Sequence, residues 1–316
     1  METLFKDIQY GLRSLLKRPG FTTVAVITLA LGIGANSAIF SVVSAVLLRP
    51  LSYPESERLV LFDGINPEKG ITQSNISVPD FADWQSQNQV FEKMAGFITG
   101  GSVLTNGDET ERVRAAGVTA DFFPLLRTNA IKGRALQPDD AQKGSDPVVV
   151  LSYGLWQRRF GGDQNVVGSK VIVGGTSTTI VGVMPAGFDY PAQTELWEPF
   201  PLEPAAERRD NRYLDVIARL KPGVTLAQAQ AQMDAINQRL AQSYVETNSG
   251  VGVRLTDMRE RLVGAMRSSL LVLLGAVAFV LLIACANVAN LLLARATVRQ
   301  KEIGRASCRE RVWIPV

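Results

Sequence analysis

The chain has 316 residues, 46% of them hydrophobic, with a mean hydropathy of +0.10 and a formal net charge of +3. It contains no histidine, which excludes histidine-based triads, histidine metal sites and imidazole acid–base chemistry. Its two cysteines are Cys285 and Cys308, so no disulfide supports the long segment 50–267, which must be held by hydrophobic burial.

In chain order, residues 1–20 place Leu4, Phe5, Ile8, Leu12, Leu15 and Leu16 on one helical face, with Lys6, Asp7, Arg13 and Lys17 mostly opposite. That spacing predicts an amphipathic helix over 4–17, stopped by Pro19-Gly20, lying in the lipid headgroup plane or docking a cytoplasmic partner. Residues 21–48 carry no charge. A helix needs about 20 apolar residues to cross the hydrocarbon core, so a first membrane span is expected there. A cleaved signal peptide has an apolar region of only about 7–15 residues, and here the run is preceded by Glu2 and Asp7. Within the run, Gly32 and Gly34 are expected to form a close-packing face, and Asn36 an interhelical hydrogen bond.

After Pro50 the pattern shortens. Residues 58–63 (RLVLFD) predict a buried strand, 78–88 (VPDFADWQSQN) a helix and 91–98 a strand. A second strand–helix–strand unit follows: strand 212–220 (RYLDVIARL), a break at Lys221-Pro222-Gly223, a Thr225-capped helix from 226 to about 244, and strand 251–255. Two such halves indicate an α+β fold with a split sheet. Between them, roughly 110–200, lies a β-rich insertion. It includes strand 148–151 (VVVL), a short helix at 153–160, and a hairpin at 170–183 turned by Gly174-Gly175.

Residues 268–294 are again uncharged and predict a second span. Asn287 and Asn290, three apart, share a helix face and are expected to hydrogen-bond to another helix, the competing reading being a substrate path. The flanks of both spans are short and basic, with Lys6, Arg13, Lys17 and Arg18 before the first and six arginines or lysines within 295–316, so both ends are expected in the cytoplasm. Segment 50–267 holds 22 basic and 26 acidic residues, a net of −4, so the overall positive charge is a topology signal and no nucleic-acid partner is implied. No phosphate loop occurs; Gly168-Ser169-Lys170 has the wrong order and spacing. The adjacent acids Asp139-Asp140, beside Pro138, read as a solvated loop and not a catalytic pair. No catalytic, metal or cofactor constellation is expected.

The sequence resembles the N-terminal part of bacterial ABC transporter permeases of the MacB/FtsX superfamily, and most of all the ADOP-type (acidobacterial duplicated orphan) permeases. The segments that carry the resemblance are 15–51 (LLKRPGFTTVAVITLALGIGANSAIFSVVSAVLLRPL), 77–94 (SVPDFADWQSQNQVFEKM), 150–162 (VLSYGLWQRRFGG), 180–188 (IVGVMPAGF) and 275–294 (GAVAFVLLIACANVANLLLA). It implies a MacB-like periplasmic core domain over 49–267, with a split α+β Porter-like lobe and a β-rich Sabre-like insertion. Transmembrane helices at 21–48 and 268–294 would flank it in the inner membrane. It also implies a separate cytoplasmic ABC ATPase, contacted near Lys301, Glu302 and Ile303, mechanotransmission to the periplasmic domain for efflux, and a homodimer or pseudo-dimer. The resemblance breaks from about 305 (RASCRERVWIPV), which reads as a frameshift, chimera or truncation scar, so further spans are expected in the full-length protein. The competing class is a two-span receptor with an external sensing domain, which predicts a cytoplasmic output domain after Ala294. A membrane-anchored enzyme would need a reactive constellation.

Overall fold

The computed structural model describes residues 19–44, 53–107 and 109–310; the expected arm helix at 4–17 lies outside them. The chain divides into two units, Met1–Arg49 with Val263–Val316, and Pro50–Leu262. Among the described residues the first helix of the first unit is α1 (Pro19–Val43).

In the second unit, β1 (Leu59–Asn66) leads through short strands β2 (Ile71–Ser74) and β3 (Ile76–Ser77) into α2 (Val78–Gln87) and the long β4 (Phe91–Asn106). Ser77 starts α2 because its hydroxyl accepts the Asp80 N–H at 3.2 Å, and Pro79 lacks a donor where none is needed. The middle of the chain supplies β5 (Glu109–Val118), α3 (Phe122–Leu126), β6 (Lys132–Gly133), β7 (Val148–Leu151), α4 (Tyr153–Phe160), β8 (Lys170–Val173), β9 (Thr176–Val183) and β10 (Leu196–Pro199). Gly174 and Gly175, both at positive φ, turn β8 into β9. Then come β11 (Arg212–Leu220), α5 (Leu226–Ser243), the short α6 (Val245–Asn248) and β12 (Gly252–Asp257). Thr225 and Gln228 form a reciprocal capping box at the start of α5. Finally Asp257 caps α7 (Met258–Glu310) by accepting the Arg259 and Glu260 N–H groups at 2.8 and 3.1 Å.

Among the described residues the strands run in the order β12-β1-β11-β4-β5-β10-β7-β9-β6. The two β-α-β units interleave: β1 and β4 flank β11, while β11 and β12 flank β1, with each neighbouring pair antiparallel. This is a split β-α-β sheet. The β-rich segment extends the same sheet beyond β5 through the parallel pairs β5–β10 and β7–β9.

Alternation along β11 sets the layers. Leu214, Val216, Ala218 and Leu220 point to the face covered by α2 and α5, where Phe81, Trp84, Met233 and Ile236 complete a core. Ile217 points to the opposite face, which Phe97, Phe122, Tyr190 and Trp197 fill around α3. A third core under α4 joins Leu104, Val149, Leu155 and Ile180. The outer edge of β12 is occupied by a side chain: Gln230 on α5 accepts the Leu255 N–H and donates to the Val253 carbonyl, both at 2.8 Å. Its amide stands in for a neighbouring strand and closes this edge to pairing.

Candidate functional site

The face of the sheet away from α2 and α5 opens into a cleft of about 1370 Å³, bounded by β4, β5, the 185–195 loop and the first turn of α7. Its charged groups divide by position. At the α7 end, Arg261 donates to Asp63 Oδ2 at 2.8 Å, and Arg254 lies 3.6 Å from the same carboxylate. Asp63 is buried midway along β1, so Arg261 anchors the first turn of α7 to that strand, next to β12 in the sheet. Met258, fully buried in the core, adds an apolar anchor one turn earlier.

Asp215, on β11, shares this end of the cleft and accepts from Asn75 Nδ2 at 3.0 Å. Burial, with the Asp63 charge adding to it, raises its carboxyl above the usual range, and Arg261 only partly offsets this. Burial likewise raises the Tyr190 phenol and pushes Tyr53 up to about 12. A carboxyl with a raised pKa binds its proton more tightly in the folded state, so stability falls as pH rises from its ordinary value through the raised one. Asp215→Asn should therefore raise the melting temperature, and the gain should be larger at pH 8 than at pH 4. An equal gain at both values would show that Asp215 is not the titrating group.

At the other end of the cleft, Arg158 pairs with Glu111 and Glu195 at 2.8 and 2.7 Å. Arg112 and Arg114 project from β5 with no ion-pair partner among the described residues.

In the other unit, α1 and α7 each contain a stretch long and apolar enough to cross a membrane, Val26–Val43 and Ser269–Asn290. Gly32 and Asn36 lie where these helices meet. A Cβ on Gly32 would stand 3.1 Å from Leu281 Cδ1, and Asn36 Nδ2 donates to the Val277 carbonyl at 3.2 Å. In lipid such a bond is worth about 0.6–2 kcal/mol, so Asn36→Ala should weaken the helix pair by that amount in a detergent-titration unfolding assay. No loss would show that another donor replaces it.

The chain matches the MacB-like periplasmic core domain family over residues 22–236. It belongs to that family. The fold agrees with two solved structures. One is a domain of a putative permease protein from Porphyromonas gingivalis (19% identity, TM-score 0.52, covering 66% of this chain and 93% of that one). The other is the periplasmic region of MacB from Actinobacillus actinomycetemcomitans (14% identity, TM-score 0.51, covering 71% and 98%). No curated protein matches the chain. The α+β MacB-like domain expected from the sequence is thus present, flanked by two apolar helices, in a protein of the MacB/FtsX permease superfamily.

Within this MacB-like chain the residues singled out from sequence are dispersed. Gly32 and Asn36 meet α7, whereas Asn287 and Asn290 are exposed on α7. Lys301, Glu302 and Ile303 fall in the last third of α7. The cleft residues Asp63, Asp215 and Arg261 were not singled out. The one available signal was an acid closing the apolar run RLVLFD.

Proposed function

We propose that the chain is the N-terminal part of a permease subunit of an ABC-type export or mechanotransmission system, of ADOP type, in the bacterial inner membrane. The observation that carries this reading is a MacB-like periplasmic core domain inserted between two helices apolar enough to span a bilayer. Under it, 21–48 and 268–294 span the membrane, and the basic flanks keep 1–20 and 295–316 in the cytoplasm. Residues 49–267 are periplasmic, with 110–200 as the Sabre-like part. ATP is hydrolysed by a separate cytoplasmic ABC ATPase that contacts Lys301, Glu302 and Ile303. Movement of α7 reaches the sheet through Met258 and the Arg261–Asp63 ion pair, and the chain itself catalyses nothing. Asn287 and Asn290, exposed on α7, face helices of a second copy or of further spans, as in a homodimer or pseudo-dimer.

The test is affinity capture of the tagged chain, co-expressed in membranes with the ABC ATPases of the same cell. An ATPase should co-purify, and Lys301→Glu with Glu302→Lys should reduce its recovery without changing the melting of the core domain. Absence of any ATPase, or recovery indifferent to the double substitution, overturns the coupling assignment.

A further inference from the structure

An internal edge of the sheet is left open within the cleft. On the side of β4 away from β5, β11 pairs as far as Phe97, and β8 takes over at Leu104. Residues 98–103 between them, about 20 Å of strand, have no strand partner on that side. Alternation fixes which groups face the gap. Phe97 is the last residue matched to β11, and the Val103 carbonyl accepts from Gly174 N–H at 2.9 Å on the same side. Two-residue periodicity then aims the N–H and C=O of Thr99 and Gly101 into the gap. Neither residue has a hydrogen-bond partner there among the described residues, and Thr99, Gly100 and Gly101 are all exposed.

Along 99–102 the side chains are small, the β5 side presents Arg112 and Arg114, and Asp215 flanks the β11 end of the gap. A Cβ at Gly100 would meet nothing, so an incoming backbone can approach. Gly101 is roofed by the Arg112 guanidinium, 3.1 Å from where its Cβ would stand, and Arg114 lies opposite Gly101 on β5. Neither arginine has an ion-pair partner among the described residues. The contrast with β12, whose edge is closed by Gln230, is direct: one edge is capped by a side chain, the other is left open beneath two free positive charges.

We propose that Thr99–Gly101 of β4 is a strand-addition site for an extended acidic peptide segment of a partner protein. The peptide fills the gap between β11 and β8, runs antiparallel to β4 as they do, and sets its carboxylates against Arg112 and Arg114. Its backbone supplies the bonds that Thr99 and Gly101 lack, and the arginines select the charge. The site is independent of whether the chain couples to an ATPase.

The test uses the full chain in detergent micelles and fluorescence anisotropy with a labelled alternating valine–glutamate hexapeptide. Its valine–lysine counterpart serves as control. The acidic peptide should bind about tenfold or more tightly than the basic one. Gly101→Pro removes one N–H facing the gap without touching the β4–β5 ladder, and should weaken binding about tenfold. Arg112→Glu with Arg114→Glu should reverse the charge preference. Amide hydrogen exchange on the unsubstituted chain should slow at Thr99 and Gly101 when the acidic peptide is added, which keeps the test decisive should a variant fail to fold. No binding of the acidic peptide at 1 mM, equal binding of both peptides, or unchanged exchange at Thr99 and Gly101 overturns the proposal.

Discussion

Asp80→Ala is expected to destabilise the core domain by about 3–5 kcal/mol, the cost of removing one partner from a buried ion-pair cluster. Asp80 is 1% exposed. Arg209 Nη1 donates to its Oδ1 at 2.9 Å, and Asn248 Nδ2 donates to the same oxygen at 2.8 Å. Arg212 Nη1 lies 3.0 Å from Oδ2 as an ion pair. One carboxylate on α2 thereby fastens the loop before β11, the first residue of β11 and α6. Arg209 is further held by Asp83 and by the Tyr244 ring, 3.6 Å beneath its guanidinium carbon. Alanine leaves two guanidinium groups half-buried with one acceptor fewer each. Asp80→Asn keeps an oxygen for Asn248 or Arg209 and should cost less. Urea unfolding followed by tryptophan fluorescence measures both. A loss below about 1 kcal/mol for alanine would mean that water replaces the carboxylate.

Trp84→Ala should cost a similar amount, about 3–5 kcal/mol, by a different route. The indole is 1% exposed between α2 and α5, stacks on Phe62 with ring centroids 5.6 Å apart, and donates from Nε1 to Asn237 Oδ1 at 2.9 Å. Alanine removes the packing volume that holds both crossover helices on the sheet, and it strands the buried Asn237 amide. Trp84→Phe isolates the second effect, because most of the packing remains while Asn237 loses its donor. About 1–3 kcal/mol is expected from that alone. For a domain of this size the alanine variant should melt roughly 6–20 °C lower. Equal losses for phenylalanine and alanine would assign the role of Trp84 to its hydrogen bond and not its volume.

Much of the core was legible because local signals and tertiary packing agree. Thr225 before an apolar stripe marks α5, and the observed helix runs Leu226–Ser243. The runs VVVL and RYLDVIARL are β7 and β11 with the expected ends. Elsewhere tertiary context overrode local preference. Strand β4 continues past Ile98 to Asn106 because β5 pairs with it throughout, although Gly100-Gly101 reads as a strand end. Residues FFPLL form the one-turn helix α3, whose Phe122, Phe123, Leu125 and Leu126 are all fully buried. A phenylalanine pair before a proline carries no helical period to reveal it. The interleaved strand order depends on long-range pairing, and no single-sequence pattern encodes it.

The cleft was invisible in the sequence for the same physical reason. Asp63, Asp215 and Arg261 are far apart in the chain and meet only because β1 and β11 are neighbours and α7 starts beside them. Asp80 directly follows Pro79 in what reads as an ordinary helix start, and its partners Arg209, Arg212 and Asn248 arrive through the second β-α-β unit. The open edge of β4 is likewise a product of topology: it exists because β11 leaves that strand before β8 reaches it.

The central claim is a core domain on the outer side of the membrane between two spans, and single-cysteine labelling tests it most directly. With Cys285 and Cys308 changed to serine the chain has no other thiol, so Lys143→Cys, in an exposed loop, becomes the one reactive position. A membrane-impermeant maleimide added to intact spheroplasts should label this variant fully. A chain keeping only Cys308 should be labelled only after the membrane is broken. Protection of the cysteine at position 143 until lysis, or labelling of Cys308 in intact spheroplasts, would contradict the account.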